Sequence, residues 1–595
     1  MLGRRSDQRG LFEADHLYLD FVGRDSFYGF LASQRGQLFR DEEFQALYVL
    51  DNGCPSVPPS LLATALLLQT HDLCSDEEAK ARADFDLRWK VALGIALDAR
   101  PFAKSTLQLF RSQLILHEQV GEVFRKSLRF ARQTGYLKGR KIKAALDTSN
   151  ILGRGAVKDT YNLLSDGIVC LVRELGLLGG VKPEEWAKAH DLSRYFADAC
   201  RDSSLKGQAE ISWEDKKARE AFLGQIVADA DRLLALARET LGQLLPDSAE
   251  HKRLTEGAKL LSQLLLQDVE RKAEGGVAIK QEVAKDRVVS VHDPEMRHGR
   301  KSKAKRFDGH KAAIAVEPES QLITAAAVLA GNAPDNEKAL DLVKASEVNA
   351  EARVEETIGD CAYGDGATRQ AFADAGRTLV AKVPDRPSSA QIPKADFQID
   401  LTNPETPSCT CPAGHTTKTL VSRGGHKDRA GKNVQVKAFQ FDPTLCAACP
   451  LRPECVKAKA GEAKAGKGRT VSLHPQESLL QQARTFQRSE AFSPYRQLRQ
   501  SAEHRLARLM QLGVRQARYF GRAKTLFQLL LAATVANLTL VATRTGLMRG
   551  RKGYQPSSFA LLAYHFAALT SVLTLSLACC LGSFRQLHSE VAVVG

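Results

Sequence analysis

Along the first 135 residues apolar positions recur at three- and four-residue steps, the spacing of amphipathic helices. SVPPSLLATALLLQTH (Ser56–His71) opens on a proline pair and runs into strong helix formers, as a helix start does. SDEEAKARADFDLRWKVALGIAL (Ser75–Leu97) begins with Ser75 and three acids, a capping arrangement that suits the helix dipole. KSTLQLFRSQLILHEQVGEVFRKSL (Lys104–Leu128) keeps the same period. The pattern predicts a helical N-terminal domain over 1–135, built either to bind DNA or to pack and dimerise.

The character changes at KGRKIKAALDTSNILG (Lys138–Gly153), where basic residues lead into a short apolar run and Asp147 stands at its end. This predicts the first strand of a core, within 136–157. From 158 to 286 the helical period returns, and AREAFLGQIVADADRLLALARETLGQLL is amphipathic, so this stretch reads as a helical insertion. Strand-like runs resume at DRVVSVHDP (Asp286–Pro294), and two apolar runs around EPES within Gly309–Gly331 predict a β-hairpin. NAPDNEKALDLVKAS reads as a capped helix. VEETIGDCAYGDGATRQAF then gives a strand ending at Asp360, a glycine-rich turn and a helix, before the strand TLVAKVP closes the block 287–384. A Pro-, Ser- and Thr-rich segment with cysteines fills 385–473. Helices follow over 474–548, with a break near Ser493–Pro494, and an apolar tail covers 549–595. Strands alternating with helices around long inserts predict an α/β core interrupted twice.

Charge narrows the function. The 595-residue chain carries +15 with an isoelectric point near 9.2, which favours a polyanionic partner, nucleic acid before membrane. The opening MLGRRSDQRGLFEADHLYLDF has no signal-peptide core, so a cytoplasmic, nucleoid-associated protein is expected. Twelve cysteines in such a chain should be thiols or metal ligands. Phe559–Gly582 lacks Asp, Glu, Lys and Arg and is long enough to span a membrane. Its His565 and several Ser and Thr favour a buried or poorly structured tail, and a membrane is not an expected partner. No Walker-type loop is present, so ATP is not expected.

Three acids stand out. Asp147 and Asp360 each follow an apolar strand-like run, although Asp is also an ordinary turn and N-cap residue. From Ala491 to Ser589 the only acid is Glu503, and between Tyr495 and Lys524 it sits among eight Lys or Arg. Such a basic face suits phosphate contacts. The lone carboxylate either sits on a cation or pairs with Arg499 or Arg505. Tyr495, Arg499 and Glu503 are four apart and share one helix face. Two aspartates and a glutamate are the hard oxygen donors that Mg²⁺ prefers, and a two-metal site would suit in-line displacement at a phosphodiester.

KAALDTSNILGRGAVKDTYNLL, VVSVHDPEMRHGRKSKAKRFDGHKAAIAV, ETIGDCAYGDGATRQAF and RQLRQSAEHRLARLMQLGVRQARYFGRAKTLFQLLLAATVANL resemble the catalytic blocks of bacterial insertion-sequence transposases of the DDE class. The resemblance runs from the N-terminal bundle to about Thr543. It implies a ribonuclease H-like mixed sheet flanked by helices, with Asp147, Asp360 and Glu503 holding Mg²⁺ or Mn²⁺. Asp365 and Asp293 are the nearest rivals. It further implies DNA as partner, cleavage and joining at the element's terminal inverted repeats, and a homodimer on DNA. Relatives often carry a Tyr-Arg-Glu-Lys signature. Here Arg499 and Glu503 stand in suitable relation, Tyr495 lies one place further from the arginine, and Met510 occupies the lysine position, leaving Lys524 outside the pattern. A catalytically inactive, DNA-binding descendant is the alternative.

The cysteines form a second constellation. CTCPAGHTT and FDPTLCAACPLRPECVKAKAG place Cys446 and Cys449 at a spacing that lets two thiolates share a tetrahedral ion. Cys411 and Cys455 would complete a zinc-ribbon-like site, with Cys409 and His415 as substitutes; a cluster of reduced thiols is the bland reading. Between Cys411 and Thr470 twelve basic residues face four acids, so this insertion suits a DNA-contacting arm with a structural Zn²⁺. Arg300, Lys301 and Lys303 in the basic loop, with Arg499, Arg515 and Arg518, are the candidate DNA-contacting residues. His310 and Lys311 precede the predicted hairpin and are weaker candidates for approaching the acids.

Overall fold

The computed structural model describes residues 1–5, 13–49, 53–196, 204–301, 304–384, 392–403, 405–427, 433–456 and 468–548. The apolar tail 549–595 and its candidate span lie outside the described residues, as does Lys303.

A mixed sheet forms the centre. Its strands are β1 (Lys141–Leu152), β2 (Arg297–Arg300), β3 (Arg306–Glu317), β4 (Leu322–Ala330), β5 (Arg353–Ile358) and β6 (Thr378–Val380). β1 is central, antiparallel to β3 on one side and parallel to β5 on the other, and β6 continues in parallel beyond β5. Ala144, Ala145 and Leu146 are fully buried, as expected of a strand covered on both faces. On the far side of β3, β2 pairs with its first residues and β4 with the rest. β3 and β4 are the hairpin expected around EPES. The Glu317 carboxylate accepts the amides of Glu319 (3.1 Å) and Ser320 (2.6 Å), and Gln321 turns the chain in the left-handed region.

Four helices bear on the sheet, α2 (Ala339–Ala350), α3 (Gly366–Asp374), α4 (Ser493–Leu509) and α5 (Arg522–Arg544), and α1 (Val120–Gln133) packs against α5 and α2. α5 is the one helix among the described residues long and apolar enough to cross a membrane, yet most of it is buried against β4, α1 and Pro59–Asp72. Its Asn537 is fully buried and satisfied. Oδ1 accepts from the Ile323 amide (2.9 Å), and Nδ2 donates to the Ile323 carbonyl (2.8 Å) and to Ser127 Oγ (3.2 Å). One amide thus joins α5, the outer strand and α1, at no cost in unpaired polar groups. The N-terminal helices and the sheet share one continuous hydrophobic core.

The stretch between β1 and β2 holds the long helices Thr160–Leu178, Lys216–Gln243 and Ala249–Asp268 around a separate core of Ile168, Leu171, Ile226 and Leu261. The chain leaves and re-enters the sheet through a narrow neck, where the Lys158 amide donates to the Val289 carbonyl at 3.4 Å. Residues 286–296 contain no strand, contrary to the expectation from their apolar run. Gln267 takes the place of a strand partner: its side chain accepts from the Val288 amide (2.8 Å) and donates to the Val288 carbonyl (3.0 Å). Val288 and Val289 are buried without a ladder.

Candidate active site

β1 does not stop at Asp147. It runs on through Thr148, Ser149 and Asn150 because these polar residues keep pairing with Ala313, Ala312 and Lys311 of β3. What ends at that point is the parallel pairing on the other side, whose last registered pair is Ala145 with Ile358. Asp147 and Asp360 are each two residues further on, so they leave adjacent parallel strands on the same side of the sheet, where neighbouring strands lie about 4.8 Å apart. Each is pinned by one oxygen. Asp147 Oδ1 accepts the Thr148 amide and Asp360 Oδ1 the Ala362 amide, both at 2.8 Å. The capping role of Asp360 and its place beside Asp147 coexist.

The third acid arrives from α4, which packs across β1 and β3. Glu503 pairs with Arg499 at 2.7 Å, one turn earlier on the same face. Burial, opposed by the Thr148 amide, then the neighbouring Asp360, opposed by Arg499, and finally Glu503 together push the Asp147 carboxyl up to about 6. Asp360, Arg499 and Glu503 therefore all act on Asp147. An excess of negative charge there is what a divalent cation would relieve, and the donors are the hard oxygens such ions take. Among the described residues no three His, Cys, Asp or Glu side chains converge closely enough to hold an ion as they stand. The Arg499 guanidinium occupies the Glu503 carboxylate instead.

The rival acids are committed elsewhere. Asp365 caps α3, accepting from the amides of Ala367 (3.0 Å) and Thr368 (3.1 Å) and from Thr368 Oγ1 (2.8 Å), with Asn336 on its other oxygen. Asp293 is fully buried against His310 Nε2 at 3.2 Å, which holds its carboxyl below the ordinary range despite burial. Lys311 is turned to the Ala333 carbonyl (2.7 Å) and Asp335 (2.8 Å).

One residue escaped the reading of the sequence. Tyr363 is completely buried, its hydroxyl has no hydrogen-bond partner among the described residues, and it feels the charges of Asp147, Asp335 and Asp360. Burial and those three acids push its phenol well above the ordinary value. The signal was Gly359. A Cβ there would lie 2.8 Å from Tyr363 Cβ, so only glycine lets the ring fold back against the strand end. Gly364 and Gly366, expected to supply a sharp bend, instead permit close approach: side chains there would collide with the Lys382 carbonyl and with His474. Gly364 has φ −87°, which any residue adopts.

The candidate DNA contacts divide. Arg300, Lys301 and Arg515 are exposed. Arg499 faces Glu503, and Arg518 is drawn to Asp76 at 3.3 Å. In the cysteine-bearing segment Cys411, Cys446, Cys449 and Cys455 line one small cavity with His415, Phe441 and Arg469. Burial pushes the Cys455 thiol up, and the other three cysteines add to it. The Arg469 amide points at Cys446 Sγ (3.4 Å). Cys409 stands apart as a buried core thiol packed among Phe397, Phe439 and Phe441, pushed up to about 12 chiefly by burial.

The fold is an α/β sheet with two aspartates where its central parallel strands end, a basic helix carrying Glu503, and an N-terminal helical bundle. In comparison with known families, residues 410–542 match the model described as Transposase DDE domain, and residues 19–113 match Transposase domain (DUF772). The two matches support an insertion-sequence transposase of the DDE class. Glu503 lies within the first match; Asp147 and Asp360 lie outside both. No curated protein and no solved structure matches.

Proposed function

We propose that this transposase binds the terminal inverted repeats of its own element, cuts the ends and joins the freed 3′-hydroxyls to target DNA, with Asp147, Asp360 and Glu503 as its catalytic acids. The observation carrying this reading is that Asp147 and Asp360 leave adjacent strands in register while Glu503, from a helix 356 residues beyond Asp147, adds to the same negative field. The strand order β4-β3-β1-β5-β6, with the first three strands antiparallel and the last two parallel to β1, supports a ribonuclease H-like core. In that reading 136–157, 287–384 and 474–548 form the core, flanked by the bundle 1–135, the insertion 158–286, the cysteine-bearing segment 385–473 and the tail 549–595.

Asp147, Asp360 and Glu503 would hold Mg²⁺ or Mn²⁺, which would supply neutralisation of charge on the phosphoryl oxygens and an acidified water or hydroxyl. The residues themselves do the rest. The Thr148 and Ala362 amides fix the two aspartates before substrate arrives, which lowers the cost of organising the site. Arg499 holds Glu503 on the side facing Asp147 and is freed for a phosphate once that pair opens. Exposed Arg300, Lys301 and Arg515 position the DNA backbone, as Lys303 would. Cys411, Cys446, Cys449 and Cys455 would hold a structural Zn²⁺ in a basic, DNA-contacting arm. Two ends require two active sites, so a homodimer assembles on DNA. The nucleoid is the expected location.

The Arg499–Glu503 pair and the absence of three converging acids among the described residues favour one other reading, a transposase-derived protein that binds DNA without cutting it. Incubation with linear DNA carrying the element's ends and Mg²⁺ decides between them. Nicking that is lost in Asp360→Asn while end binding persists supports the enzyme. Binding without nicking in the native protein removes it.

A further inference from the structure

Four residues before Asp147 on β1 is Lys143, four before Asp360 on β5 is Glu356, and eight before Glu503 on α4 is Tyr495. These three side chains meet. Lys143 and Glu356 are registered partners across the parallel pair, with Nζ 2.8 Å from Oε2. Tyr495 donates its hydroxyl to Glu356 Oε1 at 2.8 Å, and the Lys143 ammonium lies 5.3 Å from the centre of the Tyr495 ring. Phe486 and Phe492 pack on the same ring at 5.8 and 6.4 Å. Lys143 shares a strand face with Asp147, and Tyr495 shares a helix face with Arg499 and Glu503.

The cluster therefore ties together the three elements that carry the three acids, two same-face steps away along the strands and about two turns away along the helix. We propose that Lys143, Glu356 and Tyr495 form a positioning clasp: by anchoring the start of α4 to the paired strands, it sets the height at which Glu503 stands over Asp147 and Asp360. The inference rests on the catalytic reading of those acids. It gives Tyr495 a partner in the sheet, so its displacement from the usual spacing to the arginine has a local cause. The hydroxyl is spent on Glu356, leaving none for DNA. The three are positioning residues, because none touches the acids.

The clasp is partly exposed, with Lys143 at 36% and Glu356 at 28%. Pairs of that kind add little to global stability. A slip of the helix by a fraction of a turn, in contrast, is felt directly by a cation that needs all three acids, and groups behind a metal site commonly change affinity by 10- to 100-fold. The two quantities separate a positioning role from a merely structural one.

The test is Mn²⁺ binding to the full chain without DNA, followed by electron paramagnetic resonance, beside a thermal melt. Tyr495→Phe and Glu356→Ala should each weaken Mn²⁺ by about tenfold while the melt moves by about 2 °C or less. The double variant should be no weaker than about the weaker single, since both break one contact. Wild-type Mn²⁺ affinity in either single variant overturns the clasp. So does a loss of affinity that follows a large fall in melting temperature. Asp147→Asn is the separate arm: if it binds Mn²⁺ like the native chain, the catalytic reading fails, and the clasp falls with it whatever the other variants do.

Discussion

Asp76, at the start of a helix in the N-terminal bundle, takes a hydrogen bond from Arg518, 442 residues further along the chain, at 3.3 Å. The same carboxylate receives both Arg111 terminal nitrogens (2.6 and 3.1 Å), Gln69 (2.8 Å) and Gln108 (3.0 Å), which hold it well below the ordinary carboxylate range against the cost of burial. Arg111 also lies over the Tyr519 ring at 5.3 Å. One acid thus joins the bundle to the turn between α4 and α5.

Asp76→Asn leaves the buried Arg111 guanidinium without its counter-charge and should cost about 3 kcal/mol. Arg518→Ala removes a half-buried partner and should cost about 0.5 kcal/mol. Urea unfolding of both variants checks the ranking, and equal losses would contradict it.

Asp147 gives a pH prediction with a definite sign. Unfolded, its carboxyl loses the proton near 3.8; folded, it keeps it until about 6. Between those values the native state holds the extra proton, so stability falls as pH rises through that window. Above about pH 7 the deficit is of the order of 3 kcal/mol. Asp147→Asn removes it. Melts without divalent cation should therefore show the variant above the native protein at pH 8, with the gap closing near pH 4. Mg²⁺ at pH 8 should raise the native melt and leave the variant unmoved.

Gly359→Ala places a methyl 2.8 Å from Tyr363 Cβ, and the ring cannot yield because it is fully buried. Overpacking of this kind should cost about 2 kcal/mol. DNA end binding should survive, and cleavage should fall by about 100-fold if the displaced ring disturbs the strand end carrying Asp360. Gel shift and cleavage assays on one preparation separate the two effects.

The cysteine cavity makes a compositional prediction. Purified protein should carry about one zinc per chain by elemental analysis, from four thiolate ligands. Cys449→Ser should lose it, and Cys409→Ser should retain it because Cys409 is a core thiol. Zinc lost in both would place Cys409 among the ligands.

Much of the layout was legible along the chain. The helices of the bundle, the hairpin around EPES and the strand before Asp360 follow from period and turn chemistry, because each is a local preference that packing reinforces. The reach of β1 was not legible. Thr148, Ser149 and Asn150 are extended only because β3 offers them a partner. The apolar run at Val288–Val291 misled for the mirror-image reason, since a glutamine side chain stands where a strand would be. Tyr363 and Asp76 owe their importance to residues far away in sequence, which no window reveals. Glu503 was visible by charge alone, and both readings of it coexist: it pairs with Arg499 and adds to the field at Asp147.

The neck of the large helical insertion has a consequence for how such a chain changes over time. Its two sides touch, at Lys158 and Val289 and where Gly153 and Gly155 crowd Met296 and Ser290, and everything beyond folds around its own core. A module hung on so tight a stalk can be lengthened, trimmed or traded without moving the strands below it. The cutting apparatus and whatever the appended helices recognise are thereby free to diverge at different speeds.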